Sequence, residues 1–292
     1  MGWLGKMLAA GVGAFVLAML ESVRECNCFK VTHYTMRFPK TCRRNQNIKK
    51  EHCVIFLSDL HNHVYGKDNQ ILLERIRKET PDLILLGGDM LIGKKGVSPQ
   101  PSLELIRQLP GIAPVYYAYG NHEQRMLERR WKYKNVMESY EEELQKAGVK
   151  FLKNRSEQVK LGETTLRISG LMLPMDSYEK FCHRKITGDD LESRLGPADS
   201  ERLQILLAHN PAYVSAYKSW GADLILCGHL HGGVMRIPGW RGVITPQAFL
   251  FPRYSGEMSV EEDAVVVVSK GLGTHTVNLR LFNVPEIVAL HF

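Results

Sequence analysis

Five apolar runs in this chain are each followed, within three residues, by an aspartate, asparagine or histidine. The runs are Cys53–Leu57, Leu83–Leu86, Val115–Tyr119, Leu203–Leu207 and Asp223–Cys227. Each has the length and content of a strand buried on both faces. The motifs that follow them are Asp59-Leu60-His61, Gly88-Asp89, Gly120-Asn121-His122, Ala208-His209 and Gly228-His229-Leu230-His231. A polar group just past a strand end stands at the edge of a sheet, where α/β proteins build their sites. One such residue alone reads equally well as an ordinary polar strand end. Five in order, delivering only hard oxygen and imidazole nitrogen, imply a metal centre.

Carboxylate, carboxamide and imidazole together suit Mn, Fe, Zn or a similar divalent ion. Two such ions a few Å apart can hold a phosphate and activate a water between them. The motifs contain no thiolate, which argues against a Cys-rich structural zinc site. Gly87-Gly88 and Gly232-Gly233 sit beside the motifs, where a missing side chain lets backbone come close to an ion or phosphate.

The order Asp-x-His, Gly-Asp, Gly-Asn-His, His, Gly-His-x-His resembles the calcineurin-like metallophosphoesterases, over roughly Val54 to Phe292. The resemblance implies a mixed α/β fold: two packed mixed β-sheets flanked by helices, a four-layer sandwich. It implies two divalent metal ions, one held by Asp59, His61 and His231 and the other by Asn121, His209 and His229, with Asp89 bridging them. His122 would be the group that binds the phosphate and, as imidazolium, protonates the leaving oxygen. His63 is a further candidate, read as lying behind the ligands rather than on a metal. The activity implied is hydrolysis of a phosphomonoester, phosphodiester or pyrophosphate. The alternatives are a soluble nucleotide phosphodiesterase and a metal-bound scaffold without catalysis; the complete ligand set speaks against the scaffold.

The N-terminus carries the second strong signal. Met7 to Leu20 is fourteen residues without a charge, preceded by Trp3, Leu4 and Lys6. That is close to the length of a spanning helix, with a lysine at its edge able to reach the interface. The reading is an N-terminal membrane anchor over residues 1–29 ahead of a catalytic domain over 30–292. A signal segment and a buried core helix are the alternatives, and no small-x-small cleavage site follows the run. The net charge of +7 comes in good part from Arg24, Lys30, Arg37, Lys40, Arg43, Arg44, Lys49 and Lys50. These charges favour a cytoplasmic C-terminal side, or an anionic membrane face. No basic motif interleaved with aromatics points to nucleic acid.

The remaining elements are read as follows. Lys67 to Lys78 forms a helix, Glu123 to Ala147 one long charged helix, and Val159 to Ile168 a hairpin about Gly162; Val265–Ser269 and Ile287–Phe292 are closing strands. Cys53 and Cys227 lie in apolar runs and are buried; with Cys26, Cys28 and Cys42 they leave the redox compartment open. The stretch after His231 is apolar: Val234, Met235, Ile237, Pro238 and Trp240, then Ala248 to Pro252. With Gly271-Leu272-Gly273, Arg280-Leu281-Phe282 and Pro285-Glu286-Ile287, it resembles a membrane-associated branch of the family. That branch is similar to enzymes acting on lipid-linked pyrophosphates such as UDP-diacylglucosamine, so the partner implied is an amphiphilic phosphoester. Arg236 and Arg241 are read as surface charges rather than phosphate ligands.

Overall fold

The computed structural model describes residues 2–39, 52–179, 184–233, 235–237, 242–244, 250–274 and 278–292. Lys40, Cys42, Arg43, Arg44, Lys49, Lys50, Val234, Pro238, Trp240, Arg241, Ala248 and Phe249 lie outside these described residues. The strands are β1 (Lys30–Thr35), β2 (Cys53–Leu57), β3 (Leu83–Leu86), β4 (Val115–Ala118), β5 (Val149–Leu152), β6 (Arg155–Leu161), β7 (Thr164–Leu171), β8 (Leu203–Ala208), β9 (Leu224–Cys227), β10 (Met258–Val260), β11 (Val265–Val268) and β12 (Glu286–His291). The helices are α1 (Trp3–Cys26), α2 (Gln70–Lys78), α3 (Gln100–Ile106), α4 (Asn121–Glu128), α5 (Arg130–Tyr133), α6 (Val136–Lys146), α7 (Gly188–Leu195) and α8 (Val214–Trp220).

Two six-stranded sheets result, ordered β1-β12-β2-β3-β4-β5 and β10-β11-β9-β8-β7-β6. Both are mixed. In the first, β12 runs antiparallel to β2, while β2, β3, β4 and β5 are parallel neighbours. In the second, β7, β8, β9 and β11 are parallel, with antiparallel β6 and β10 at the two edges.

Strand alternation makes the layers. Val54, Phe56, Leu83, Leu85 and Tyr116 of the first sheet meet Ile168, Ile205, Leu207, Leu226 and Val267 of the second in one core between the sheets. The intervening residues Ile55, Leu57, Ile84, Leu86 and Tyr117 turn outward onto α2, α3 and α6. On the far side Leu206, Ile225, Cys227 and Val266 pack against α7 and α8. Strands covered on both faces need unbroken apolar sequence, which is why the five runs do not alternate. This is the expected sandwich of two mixed sheets flanked by helices.

Two helical readings change. The 123–147 stretch is three helices rather than one, because Arg129 leaves helical geometry and Lys134 and Asn135 are left-handed, with φ of 52° and 56°. Helical amphipathicity continues across such a break, so periodicity alone does not show it. The 67–78 stretch opens with left-handed Asp68 and Asn69, and regular α-helix starts only at Gln70. The hairpin about Gly162 is longer than its apolar centre, pairing Arg155 with Gly170 at its open end. Cys53 and Cys227 are buried free thiols, and Cys26 and Cys28 are free as well.

Helix α1 stands apart from the layers. It is 24 residues long and apolar enough to cross a membrane, and the side chains of Leu4, Leu8, Phe15, Leu17 and Leu20 are exposed along it. Its buried residues are Ser22 and Glu25, both in its last turns.

Candidate metal centre

The motif residues converge because their strands do. β2, β3 and β4 lie side by side and parallel, as do β8 and β9, so the C-terminal ends of each set open at one edge. The loops beyond them are laced together by backbone. Asp59 N donates to Gly88 O at 3.0 Å, His61 N to Asp89 O at 3.0 Å, and Gly228 N to His209 O at 3.1 Å. Asp59, His61, Asp89, His229 and His231 all take positive φ, between 48° and 69°. Non-glycine residues rarely hold that conformation, and its clustering at functional groups is a recurrent sign of a built site. At Gly88, a Cβ would collide with the backbone nitrogen of Gly120, so only glycine lets these two loops meet.

Three groups of side chains bring ligand atoms within 4.8 Å of one another: Asp59 with His61 and His231, Asp89 with His209 and His229, and His61 with Asp89 and His122. Asp89 is common to two of them. Its Oδ2 lies 3.1 Å from Nε2 of His209 and 3.9 Å from Nε2 of His61. All these groups are buried except His231, which is partly exposed: Asp59 is fully enclosed and Asn121, His122 and His209 nearly so.

The histidines are oriented by what their Nδ1 atoms touch. His61 Nδ1 faces the carbonyl of Leu91 at 3.3 Å, His209 Nδ1 that of Gly87 at 2.7 Å, and His231 Nδ1 that of Gly273 at 3.1 Å. A carbonyl only accepts, so each Nδ1 carries the proton and each Nε2 presents a lone pair to the centre. His61 Nε2 and His231 Nε2 are 3.2 Å apart, lone pair against lone pair, with Asp59 Oδ1 3.5 Å from the latter. The Asn121 carboxamide oxygen faces His229 Nδ1 and Asp89 Oδ2, both at 3.1 Å. Turned over, the amide would donate to both and accept from Arg125, whereas a shared cation would be met by its oxygen. So many converging acceptors repel one another unless a positive charge sits among them, and the residues therefore fit divalent ions.

Electrostatics say the same in terms of protons. Burial disfavours charge on His209, yet the Asp89 and Asp59 carboxylates hold its imidazole up to about 10. Burial pushes the Asp59 carboxyl up to about 6, and it opposes ionisation of Asp89 too, but the His209 imidazole beside it holds Asp89 well below the usual range. A proton on His209 thus does weakly what a divalent ion among these groups would do strongly.

His122 is wired the opposite way. The backbone N–H of Gly93 donates to its Nδ1 at 2.7 Å, which leaves the ring hydrogen on Nε2, 3.9 Å from Asp89 Oδ2. Its own backbone N–H donates to Asp89 Oδ1 at 2.8 Å. It is the second residue of α4.

The sequence matches the calcineurin-like phosphoesterase family over residues 54–233. The chain belongs to that family. Among similar proteins, YpbG of Bacillus subtilis is 29% identical over 80% of this chain and 78% of its own length. The phosphodiesterase YaeI of Escherichia coli is 25% identical over 81% and 80% respectively. A phosphopantetheinyl hydrolase from Mycobacterium tuberculosis is a similar solved structure, 14% identical, with a TM-score of 0.48 over 76% of this chain and 90% of that one. Family membership and the Asp/His groups together make this calcineurin-like phosphoesterase a hydrolase of phosphoesters that uses two divalent metal ions.

Several functional neighbours escaped the motif reading. Glu123 accepts from the backbone of Asp89 (2.8 Å), Leu91 (3.1 Å) and Gly120 (3.0 Å) and from the Tyr117 hydroxyl (2.8 Å). Burial and the Asp89 charge push its carboxyl up to about 7, against four donors that favour the anion. Its sequence signal is the capping spacing Gly120-x-x-Glu123. Ser58 Oγ donates to Asp59 Oδ2 at 2.7 Å. The Tyr178 ring stands edge-on to His229, with centroids 5.1 Å apart. His63 packs on Tyr65 at 4.5 Å and belongs to none of the metal-capable groups among the described residues. Arg236 is paired with Glu257 at 3.0 Å and bonded to Gly232 O, a structural tie rather than a phosphate clamp.

Proposed function

We propose that this phosphoesterase is a membrane-anchored enzyme that cleaves a phosphodiester or pyrophosphate of an amphiphilic substrate. Asp59, His61 and His231 hold one ion, Asn121, His209 and His229 the other, and Asp89 bridges them. When bound, the two ions neutralise the phosphate oxygens and lower the pKa of a water toward neutrality. The observation that carries catalysis, rather than metal binding alone, is the reversed polarity of His122. Where His61, His209 and His231 turn Nε2 toward the cations, His122 is placed by a backbone N–H to present an N–H of its own.

That wiring alters the expected chemistry of His122. An imidazolium would need a proton on Nδ1, where Gly93 already donates. His122 therefore acts as a neutral donor. It holds a hydrogen bond on the phosphoryl or leaving oxygen, which strengthens as negative charge builds there. A scaffold that merely bound metal would have no use for such a donor.

Two features support an amphiphilic substrate. Met235, Ile237, Leu250 and Phe251, on the chain that leaves His231, are exposed apolar side chains, as is Phe282 beside them through the Met235–Leu281 bridge. Exposed apolar groups gathered in one place mark an interaction surface. Helix α1 supplies the second, since a spanning segment would hold the site near lipid. A lipid-linked pyrophosphate such as UDP-diacylglucosamine fits both. The Escherichia coli relative, a phosphodiesterase, supports the bond type.

The test compares kcat/KM for UDP-diacylglucosamine and for UDP-N-acetylglucosamine, with the full chain in mixed micelles. Burying two methylenes already contributes about 1.6 kcal/mol, so a preference of at least about tenfold for the acylated substrate is expected. Equal values would sink the amphiphile reading and favour a nucleotide phosphodiesterase.

A further inference from the structure

The only buried residues of α1 are polar, and both reach toward the metal centre. Ser22 Oγ accepts from the backbone N–H of Arg280 at 3.1 Å, and Glu25 Oε2 accepts from that of Asn283 at 2.9 Å. Both contacts span more than 250 residues of sequence. Arg280 is itself 1% exposed. Its guanidinium donates to the carbonyls of Lys270 (2.8 Å), Gly271 (3.3 Å), Gly273 (2.8 Å) and Asn283 (3.1 Å). Gly273 O is also the acceptor that orients His231 Nδ1, and Gly273 N donates to Asp59 O at 2.6 Å. Asn283 Nδ2 donates to His231 O at 2.7 Å and to Gly233 O, and its side chain lies so close to Gly232 that any Cβ there would strike it. One hydrogen-bonded unit therefore runs from the last turns of α1, through Arg280 and Asn283, to the backbone at and just after His231 and, by way of Gly273, to the His231 ring and Asp59.

We propose that Ser22 and Glu25 are positioning residues of the metal centre: the foot of the N-terminal helix fixes the backbone that aims His231. The proposal rests on the reading that Asp59, His61 and His231 hold one of the ions. An anchor that only tethered the domain would need a flexible linker and no buried polar contacts. Burying a carboxylate and a hydroxyl is costly unless each is bonded, so their placement marks a joint built for alignment. Partners that orient metal ligands in this way affect binding about 10- to 100-fold. The functional unit thus begins within α1 rather than at residue 30, and a disturbance of the helix foot bears most on the ion held by His231 and less on the other, which shares only His229 with that loop and takes Asn121 and His209 from elsewhere.

The test uses the full chain in detergent. Mn²⁺ affinity is measured by chelator competition, alongside thermal midpoint, kcat and KM, for wild type, Ser22→Ala/Glu25→Ala, Ser22→Ala, Glu25→Gln and the exposed-face control Glu21→Gln. The double variant is expected to weaken one of two binding events about 10- to 100-fold and to lower kcat similarly, with KM nearly unchanged. Glu25→Gln keeps an acceptor oxygen and is expected to stay within about threefold of wild type, and Glu21→Gln to match it. Wild-type affinity for both ions in the double variant overturns the proposal, as does equal weakening of both. Should the double variant not fold, Ser22→Ala decides: a selective loss of more than about threefold supports the proposal, and unchanged affinity overturns it. A wild type that binds no Mn²⁺ instead overturns the ligand assignment on which the proposal stands.

Discussion

Asp89→Asn is expected to cost on the order of 10³ in kcat/KM, about 4 kcal/mol of transition-state stabilisation, and to lower the metal content of the purified chain. Asp89 is the carboxylate shared by two of the ligand groups, with one oxygen 3.1 Å from His209 and the other fixed by the backbone N–H of His122. Asparagine keeps the shape but removes the charge, and it can place an amide N–H₂ where a lone pair is needed. Its site is buried, so no water replaces what is lost. Metal content by emission spectroscopy and turnover of bis-p-nitrophenyl phosphate report the two effects separately. Two ions and undiminished turnover in the variant would remove Asp89 from the bridging position.

His122→Ala is expected to behave differently: both ions retained, and kcat down about 10²–10³, the range seen when one preorganised donor to a developing oxyanion is deleted. If Gly93 keeps His122 a neutral donor, as proposed, the variant's pH–rate profile is expected to keep the wild-type shape at a lower level. Loss of the alkaline limb in the variant would show instead that an imidazolium gives up its proton in wild type. Loss of metal along with turnover would make His122 a ligand.

The five strands and the polar residues just past them were legible because each is a local signal, whereas the two-sheet sandwich came from the family resemblance. An apolar run without alternation marks a strand covered on both faces, and the polar residue after it marks the sheet edge. What the sequence concealed depends on contacts distant along the chain. β1, Lys30–Thr35, is a polar edge strand whose partner is the C-terminal β12, so its pairing has no local trace. The break of the 123–147 helix lies in two adjacent residues, Lys134 and Asn135, whose left-handed backbone costs little enough to escape a propensity argument. The role of His122 came from the family resemblance; the contact that holds its ring comes from Gly93, 29 residues upstream, and has no local trace. Arg280 and Asn283 carry no motif, and only the fold brings them under His231.

The most direct test of a two-metal phosphoesterase is to titrate the chelated, metal-free full chain with Mn²⁺ while following bis-p-nitrophenyl phosphate hydrolysis. The account predicts no turnover without metal, and activity that rises to a plateau once two ions are bound per chain. Hydrolysis that persists in the chelated protein, or a plateau at a single bound ion, would contradict it.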